Sequence, residues 1–231
     1  MPSRTPTTFK AAKMIGRCEP RSPPCSSLSF SSYYIYSPHG DGVAAQVSRR
    51  LCQRIKQSDS VWLPRYVGPV CRAASRDPRL WALFAADAVL VPVPGSMPCG
   101  GAPWAASTLA LALREVGLAP AVWFGLRRLA AVRKSATAPS HARPTVGEHF
   151  GSFLVMPPPG TIGRIVLIDD VITKGRTLLA AAARMQAAFP HADVRAFALI
   201  RTVGFRQRVD NIIEPCAGVV RWAGGDARRE P

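Results

Sequence analysis

Acidic residues are scarce in this sequence: its 231 residues include 14 Asp and Glu against 30 Lys and Arg, which gives a formal charge of +16. A surface with this imbalance attracts anions at ordinary pH, so it favours phosphate-rich ligands or nucleic acid as partners. The basic residues are spread along the chain without a long run, and an arginine-rich composition accounts for the charge equally well. Composition alone does not choose between these two origins of the charge.

Paired cysteines are absent. The six cysteines form no Cys-x-x-Cys pair and show no repeated spacing. Structural zinc sites and disulfide frameworks depend on such spacings, which excludes both classes here. We therefore expect reduced thiols and a cytoplasmic protein.

The sequence also lacks an apolar run that could cross a membrane. The stretch from Ala88 to Leu113 carries no charged residue, but prolines and glycines interrupt it throughout. They would break the helical hydrogen bonds that a lipid environment requires, and no secretory leader signal is recognisable near the N-terminus. We expect no membrane partner, and we expect strand, loop and helix in this stretch.

The N-terminal part of the chain divides by composition. Residues 1–30 are basic and rich in Ser and Pro without periodicity, which predicts a disordered tail. An aromatic run at Phe30–Tyr36 predicts the first strand. A helix is predicted over Val43–Lys56, and its docking face is expected to comprise Val43, Val47, Leu51 and Ile55.

Apolar β-branched runs alternate with helix-like segments between residues 88 and 205. Strands are predicted at Ala88–Pro94, Ala121–Phe124, Ile162–Ile168 and Val194–Thr202, and helices at Pro103–Val116 and Leu178–Phe189. This alternation predicts an α/β fold with a parallel-sheet core flanked by helices. Residues 125–150 are predicted to form a long basic loop with room for a short hairpin. Residues 206–231 are expected to form a frayed C-terminal tail without chemistry.

One motif carries candidate chemistry, because an apolar strand runs directly into two acids and then a short loop before a helix. The acids are Asp169 and Asp170, and the loop contains Thr173, Gly175 and Thr177. Ligands of parallel α/β sheets bind at the carboxyl ends of the strands, where these acids would lie. The following helix would offer free backbone N–H groups to a phosphate, with close approach at the glycine and hydroxyl donors on the threonines. Carboxylates beside such a loop suit a ribose 5-phosphate.

The same motif also allows two different interpretations. Asp and Thr at a strand-to-helix junction often act as caps and turn residues, but two adjacent acids would repel each other without a ligand, a cation or donors. A receiver-like domain could use Asp169 or Asp170, but it would not need Thr173, Gly175 and Thr177 at this spacing. We favour the sugar-phosphate site over both.

The segment VLIDDVITKGRT at residues 166–177 resembles the phosphoribosyl pyrophosphate binding signature of type I phosphoribosyltransferases. The resemblance implies the type I phosphoribosyltransferase fold with a flexible basic hood loop, and it implies that Asp169 and Asp170 contact the ribose hydroxyls. The residues that would wrap the 5-phosphate are Thr173, Lys174, Gly175, Arg176 and Thr177. Lys174 departs from the pattern, because the family more often has Thr or Ser there.

More of the chain is similar to the ComF branch of this family, which is associated with competence. Val91–Ser96 resembles its Pro-Val-Pro segment and implies a pyrophosphate loop at Pro94, Gly95 and Ser96. The resemblance makes residues 31–87 an N-terminal hood and helical segment and residues 88–205 the phosphoribosyltransferase core. Its basic loop is matched by Leu126–Arg128, Lys134–Ser135 and Arg143, of which Arg128 and Lys134 are the implied catalytic cations. The cysteine zinc module frequent in that branch is missing.

The resemblance implies an enzyme that transfers ribose 5-phosphate from 5-phosphoribosyl 1-pyrophosphate to an unidentified nitrogen acceptor, with release of diphosphate. Mg²⁺ would be the cofactor, held mainly by the substrate and water without a dedicated protein metal site, and a homodimer is one option. The alternative is a non-catalytic ComF-like protein that senses phosphoribosyl pyrophosphate or handles single-stranded DNA during competence. The charge favours that alternative, whereas an aromatic content of 8% gives little support to a base-stacking surface.

Overall fold

The apolar runs form a central β-sheet in the computed structural model, which describes residues 25–58, 62–98, 101–134, 142–158, 160–204 and 208–231. The strands in these ranges are β1 (Ser27–Tyr36), β2 (Ala88–Pro92), β3 (Ala121–Val122), β4 (Leu126–Arg128), β5 (Phe153–Val155), β6 (Arg164–Ile172), β7 (Asp193–Thr202), β8 (Ile213–Ala223) and β9 (Asp226–Glu230). The helices are α1 (Val43–Lys56), α2 (Leu63–Ala74), α3 (Pro78–Leu83), α4 (Ala105–Glu115), α5 (Val146–Ser152) and α6 (Arg176–Ala188).

Seven of these strands form one mixed sheet in the order β3-β2-β6-β7-β1-β8-β9. The five strands from β3 to β1 are parallel, whereas β8 and β9 pair antiparallel at one edge. β4 and β5 form a separate antiparallel pair. The prediction of an α/β fold with a parallel-sheet core flanked by helices is therefore confirmed.

The central parallel strands are apolar because helices cover both of their faces. In β6 the run Ile165–Ile168 is fully buried, and in β7 the run Ala196–Ile200 is fully buried. One face packs against α1 to α4, and the other packs against α6 and the β4-β5 pair. The small side chains of Ala180–Ala183 are fully buried and let α6 lie close to the sheet. Continuous apolar runs of this kind are typical of strands that are buried on both sides.

Helix α1 has the predicted bounds, but its predicted docking face was partly wrong. Val43 is 78% exposed and Val47 is 39% exposed. A spacing of four residues drifts around a helix by about 40° per step, so four such positions cannot all face one surface. The buried residues follow spacings of three and four instead: Ala45, Ser48, Leu51, Cys52 and Ile55.

Both predicted tails contribute strands to the sheet. β1 begins at Ser27, so its first residues fall inside the segment predicted to be disordered, and Leu28 and Phe30 are buried. β1 lies between β7 and β8, so the segment predicted to form the hood supplies an inner strand of the sheet. Residues 1–24 of the predicted N-terminal tail lie outside the described residues.

The prediction of a frayed C-terminal tail was wrong. β8 pairs with β1, and β9 pairs with β8 through a turn at Gly224 and Gly225, both of which have positive φ. This pairing satisfies backbone groups that a tail would leave to water, and it buries Val220 completely. Ordered strand structure therefore extends through β9.

The predicted basic loop at residues 125–150 is partly ordered. It contains β4 and the start of α5, and its residues 135–141 lie outside the described ranges. Within the described part of the chain, the helices are all too short or too polar to span a bilayer.

An ion pair between a buried arginine of β7 and a partly exposed glutamate of β8 gives a testable prediction. The Arg201 side chain is 5% exposed and donates to Glu214 at 2.6 Å, whereas the Arg221–Glu230 pair at 3.0 Å is largely exposed. Burial and the charge of Arg201 also lower the pKa of Arg229 to about 10, so removal of Glu214 would leave two neighbouring cations. We expect Glu214→Gln to lower the free energy of unfolding by about 1–3 kcal/mol.

The matched control is Glu230→Gln, which removes the carboxylate of the exposed pair and should cost less than about 1 kcal/mol. Urea unfolding of both variants measures the difference. Equal losses would contradict a special role for the pair that contains the buried Arg201.

Candidate functional site

The acid pair lies near the C-terminal end of β6, inside the strand. β6 continues to Ile172, so the predicted strand end at Ile168 was four residues too early. Asp169 pairs in register with Ala198 of β7, and both acids are partly buried. The backbone N–H of Asp170 donates to the Asp169 carboxylate at 3.0 Å.

The electrostatics of the acid pair favour a ligand that supplies positive charge or hydrogen-bond donors. Burial raises the pKa of Asp169 well above its ordinary value, and the neighbouring charge of Asp170 raises it further. The ammonium of Lys56, at the end of α1, acts in the opposite direction and lowers this pKa. Because ionisation of Asp169 is opposed by its surroundings, hydroxyl donors or a cation would stabilise the ionised pair.

Gly175 forms the turn between the acids and α6. It caps the helix with φ of 84°, a left-handed conformation that side chains other than glycine rarely adopt. A Cβ atom at this position would lie 2.6 Å from Cγ2 of Val220 on β8. The backbone of the loop therefore lies directly against the C-terminal hairpin. The first N–H groups of a helix have no partner within the helix, so those of α6 are available to an anion.

The hydroxyls and cations of the loop have different surroundings. The Thr173 hydroxyl is exposed and lies 2.9 Å from the Thr202 hydroxyl on β7. Lys174 bonds to Asp226 at 3.1 Å, and Arg176 forms a forked pair with the same carboxylate, with one Nη2–Oδ2 distance of 2.7 Å. The side chains of Lys174 and Arg176, which the resemblance assigns to the phosphate, thus hold the loop to β9.

Asp226 is a site residue that was not predicted from the sequence. Hydrogen bonds from Arg176 lower its pKa most, and the Ala227 N–H and Lys174 lower it further, so its charge is firmly held. A signal was present in the sequence, because two glycines before Asp226 indicate a tight hairpin turn. What the local sequence could not indicate is that this hairpin contacts a loop about 50 residues earlier in the chain.

The predicted pyrophosphate loop lies beside the acid loop. Pro94, Gly95 and Ser96 follow β2, which is the neighbour of β6 in the sheet, and the Val93 N–H donates to the Ile168 carbonyl at 2.9 Å. Parallel strands end at the same edge of a sheet, so both loops lie at one edge. Their assignment to the diphosphate stays a prediction.

Arg128 is buried beneath the loop of Pro94, Gly95 and Ser96. Its side chain donates to the Gly95 carbonyl and to the Ser152 hydroxyl, and it lies over the Phe153 ring at 4.3 Å. A further contact joins it to the Pro94 carbonyl at 3.4 Å. Its guanidinium supports the loop from inside the protein, so a direct catalytic role stays a prediction. Lys134 is exposed within the predicted basic loop, and its predicted catalytic role is equally untested.

His149 links Arg128 to the acid loop. It is 3% exposed, its Nδ1 lies 3.5 Å from Arg128 Nη2, and its Nε2 lies 3.3 Å from the Thr177 hydroxyl. Burial is the largest cause that lowers its pKa to about 4, with Arg128 and Arg176 adding to the effect and Glu148 opposing it. No role for this histidine follows from the sequence, because only the tertiary structure shows its neighbours.

The carboxyl groups of Asp169 and Asp170 suit a Mg²⁺ ion that arrives bound to a ligand. No group of three or more His, Cys, Asp and Glu side chains that could hold a metal is found in the described ranges. The two adjacent carboxyls can still receive a hydrated cation, and ionisation of Asp169 would become easier beside it. Asp169 and Asp170 are the residues that would face such an ion.

Comparison with known proteins adds no family assignment. No protein-family model and no curated protein matches the chain. The functional assignment therefore depends on the two loops and the side chains that support them.

The close approach of Gly175 to Val220 gives a second prediction. Gly175→Ala should lower the free energy of unfolding by about 2–4 kcal/mol, because it combines an unfavourable left-handed conformation with overpacking. In a Val220→Ala background the same change should cost only about 1–2 kcal/mol, because the two Cγ atoms that the new Cβ would meet at 2.6 and 2.9 Å are gone. Urea unfolding of the four proteins measures this coupling, and an equal cost in both backgrounds would contradict it.

The depressed pKa of His149 gives a third prediction. In the unfolded chain His149 takes up a proton as the pH falls below about 6.5, whereas in the folded protein it stays neutral until about pH 4. This proton uptake should remove about 3 kcal/mol of stability as the pH falls through that window. His149→Gln should abolish the loss, so its unfolding free energy should decline less steeply from pH 6.5 to about 4 in urea titrations. Parallel curves for the two proteins would contradict a neutral buried His149.

Proposed function

We propose that this chain is a phosphoribosyltransferase, which binds 5-phosphoribosyl 1-pyrophosphate with Mg²⁺ and transfers ribose 5-phosphate to a nitrogen acceptor. The observation that carries the proposal is the arrangement at the end of β6. Two adjacent carboxyls are followed by a left-handed glycine that opens α6, and a second loop leaves the neighbouring strand β2 at the same edge.

The sugar end of this ligand matches the acid loop. Asp169 and Asp170 would accept hydrogen bonds from the ribose hydroxyls, which suits a carboxyl pair whose ionisation needs donors. The 5-phosphate would bind the N–H groups at the start of α6, where the helix dipole favours an anion. Thr173 and Thr177 would add hydroxyl donors, and Gly175 leaves the backbone accessible. The side chains of Lys174 and Arg176 would contribute through their hold on Asp226.

The diphosphate end matches the loop of Pro94, Gly95 and Ser96. In the proposed step the bond between ribose C1 and the diphosphate oxygen breaks, diphosphate leaves with the electron pair, and the acceptor nitrogen bonds to C1 and gives up a proton. Mg²⁺, when bound through the substrate, would neutralise the charge that develops on diphosphate. Lys134 is exposed within the predicted basic loop and would supply a further cation.

The type I phosphoribosyltransferase fold, in its ComF-like form, is the finer assignment that we propose for the α/β architecture. The parallel order β2-β6-β7, with the acid motif on the middle strand and the second loop on its neighbour, supports it. The N-terminal residues from α1 to α3 would then form the hood, with the charge of Lys56 acting on the acid pair.

A second candidate function is binding of single-stranded DNA or another polyanion. It is favoured by the basic surface of α1 and α2, where Arg54 and Arg65 lie 3.9 and 4.4 Å from the Trp62 ring. Binding of this kind would weaken steeply with salt and would not need the acid pair. Both properties separate it from the enzyme.

The fourth prediction tests the sugar-phosphate site by calorimetric titration of phosphoribosyl pyrophosphate with Mg²⁺. The wild-type protein should bind, and Asp169→Asn/Asp170→Asn should lose most of the affinity because the acceptors for the ribose hydroxyls are reduced. The double variant should keep its stability, since burial and repulsion oppose ionisation of Asp169 in the free protein. A loss of binding would therefore not reflect unfolding.

The matched control is Asp87→Asn. Asp87 lies just before β2, at the opposite edge of the sheet, where it pairs with Arg164 at 3.6 Å. This variant should bind as the wild type does. If folded wild-type protein does not bind the ligand, the proposed enzyme is ruled out; salt-sensitive DNA binding that is unchanged in the double variant would then support the second candidate.

A further inference from the structure

Three side chains connect the two loops of the candidate site beneath their surfaces. Arg128 holds the carbonyls of Pro94 and Gly95, and it also contacts His149, whose other nitrogen contacts Thr177 in the first turn of α6. We call Arg128, His149 and Thr177 the buried relay. It runs from the proposed diphosphate loop to the proposed phosphate loop, and its central residue, His149, belongs to neither loop.

The chemistry of arginine determines the proton positions in the buried relay. A guanidinium can only donate, so the Nδ1 atom of His149 that faces Arg128 must accept. A neutral imidazole then carries its proton on Nε2, and this N–H points at the oxygen of the Thr177 hydroxyl. With its oxygen occupied as an acceptor, the Thr177 hydroxyl is left to donate its own hydrogen elsewhere.

The surroundings of His149 support the neutral form that this order of donors requires. Burial and the charges of Arg128 and Arg176 disfavour a protonated ring, and only Glu148 favours it. The ring also stacks on Phe153 at 6.3 Å with an interplanar angle of 21°, which limits its rotation.

Helix α5 is fixed firmly enough to hold His149 in one place. A capping box of Thr145 and Glu148 begins the helix. The Ser152 hydroxyl donates to the His149 carbonyl at 2.7 Å and accepts from Arg128. Arg184 of α6 donates to the Phe150 carbonyl at 2.7 Å, so α5 is tied to the helix that carries Thr177.

We propose that His149 is a positioning residue, which Arg128 holds in the Nε2–H form so that the Thr177 hydroxyl donates to the ligand phosphate. The buried relay thereby joins the geometry of the phosphate loop to that of the Pro94–Gly95 loop. The inference rests on the proposed function in so far as the ligand is a sugar phosphate. His149 itself does not touch the ligand.

The fifth prediction uses substitutions that separate this role from packing. His149→Phe keeps a ring that can stack on Phe153 but removes both nitrogens, whereas His149→Gln keeps an amide N–H close to the position of Nε2. Affinity for Mg²⁺–phosphoribosyl pyrophosphate should fall about tenfold or more in His149→Phe and in Thr177→Val, because Thr177→Val removes the hydroxyl that donates to the charged phosphate and His149→Phe removes the N–H that orients this hydroxyl. His149→Gln should retain most of the affinity.

The double variant tests whether His149 acts through Thr177. If it does, His149→Phe combined with Thr177→Val should bind no more weakly than Thr177→Val alone, whereas a purely structural role would give additive losses. The same cycle is measured with inorganic phosphate as a second probe. Additive losses, or full affinity in folded His149→Phe, would overturn the inference.

The tautomer is measured on the free protein by ¹⁵N NMR of histidine-labelled samples, so this readout needs no ligand. The inference requires a protonated Nε2 and an unprotonated Nδ1 in the wild type. The opposite tautomer would overturn it even if phosphoribosyl pyrophosphate binds. If inorganic phosphate binds with the expected non-additive cycle but phosphoribosyl pyrophosphate does not bind, the proposed enzyme fails and the buried relay stands. If neither probe binds, both fail.

Discussion

The parallel pairing of β2 with β6 is the constraint on which the candidate site depends. It brings the loop after Val93 and the loop after Ile172 to the same edge of the sheet, although they are far apart in the chain. The Val93 N–H bonds to the Ile168 carbonyl just after β2 ends, while β6 continues to Ile172. β7 lies on the other side of β6 and supplies the Thr202 hydroxyl to Thr173. The acid pair in β6 is thus flanked by the loop after β2 on one side and by the end of β7 on the other.

Several arginines connect segments of the protein by binding backbone carbonyls. Arg128 binds the carbonyls of the Pro94–Gly95 loop, Arg229 binds the carbonyls of Ile172 and Thr202 at 3.0 and 2.7 Å, and Arg184 binds that of Phe150. Guanidinium suits this purpose because it presents several donors in a fixed plane. Part of the charge of +16 therefore stabilises the edge that carries the candidate site, which makes net charge alone a weak argument for nucleic-acid binding.

The C-terminal hairpin of β8 and β9 is a structural part of the site. Val220 limits the space beside Gly175, Asp226 holds Lys174 and Arg176, and Arg229 bonds to the ends of β6 and β7. The forked pair of Arg176 with Asp226 is more than a surface contact, since the Arg176 side chain is only 17% exposed. The geometry of the proposed phosphate loop is therefore set by residues on both sides of the helix start. The N-terminal strand β1 also pairs with the first strand of this hairpin, β8.

Local sequence determined the elements whose signals are local. The apolar runs at Ala88 and Ile165, the bounds of α1, and the acid–loop–helix motif around Asp169 to Thr177 all follow from residue types at neighbouring positions. Periodicity and turn chemistry act over a few residues, which is why the type and order of these elements were predicted correctly. The end of β6 was predicted four residues too early, so the acids lie inside the strand instead of after it. The tertiary structure alone decided which distant groups complete the site: Asp226 for Lys174 and Arg176, His149 for Thr177, and a buried place for Arg128 beneath the loop. Those contacts depend on strand order and on burial, and neither property is encoded in the spacing of adjacent residues.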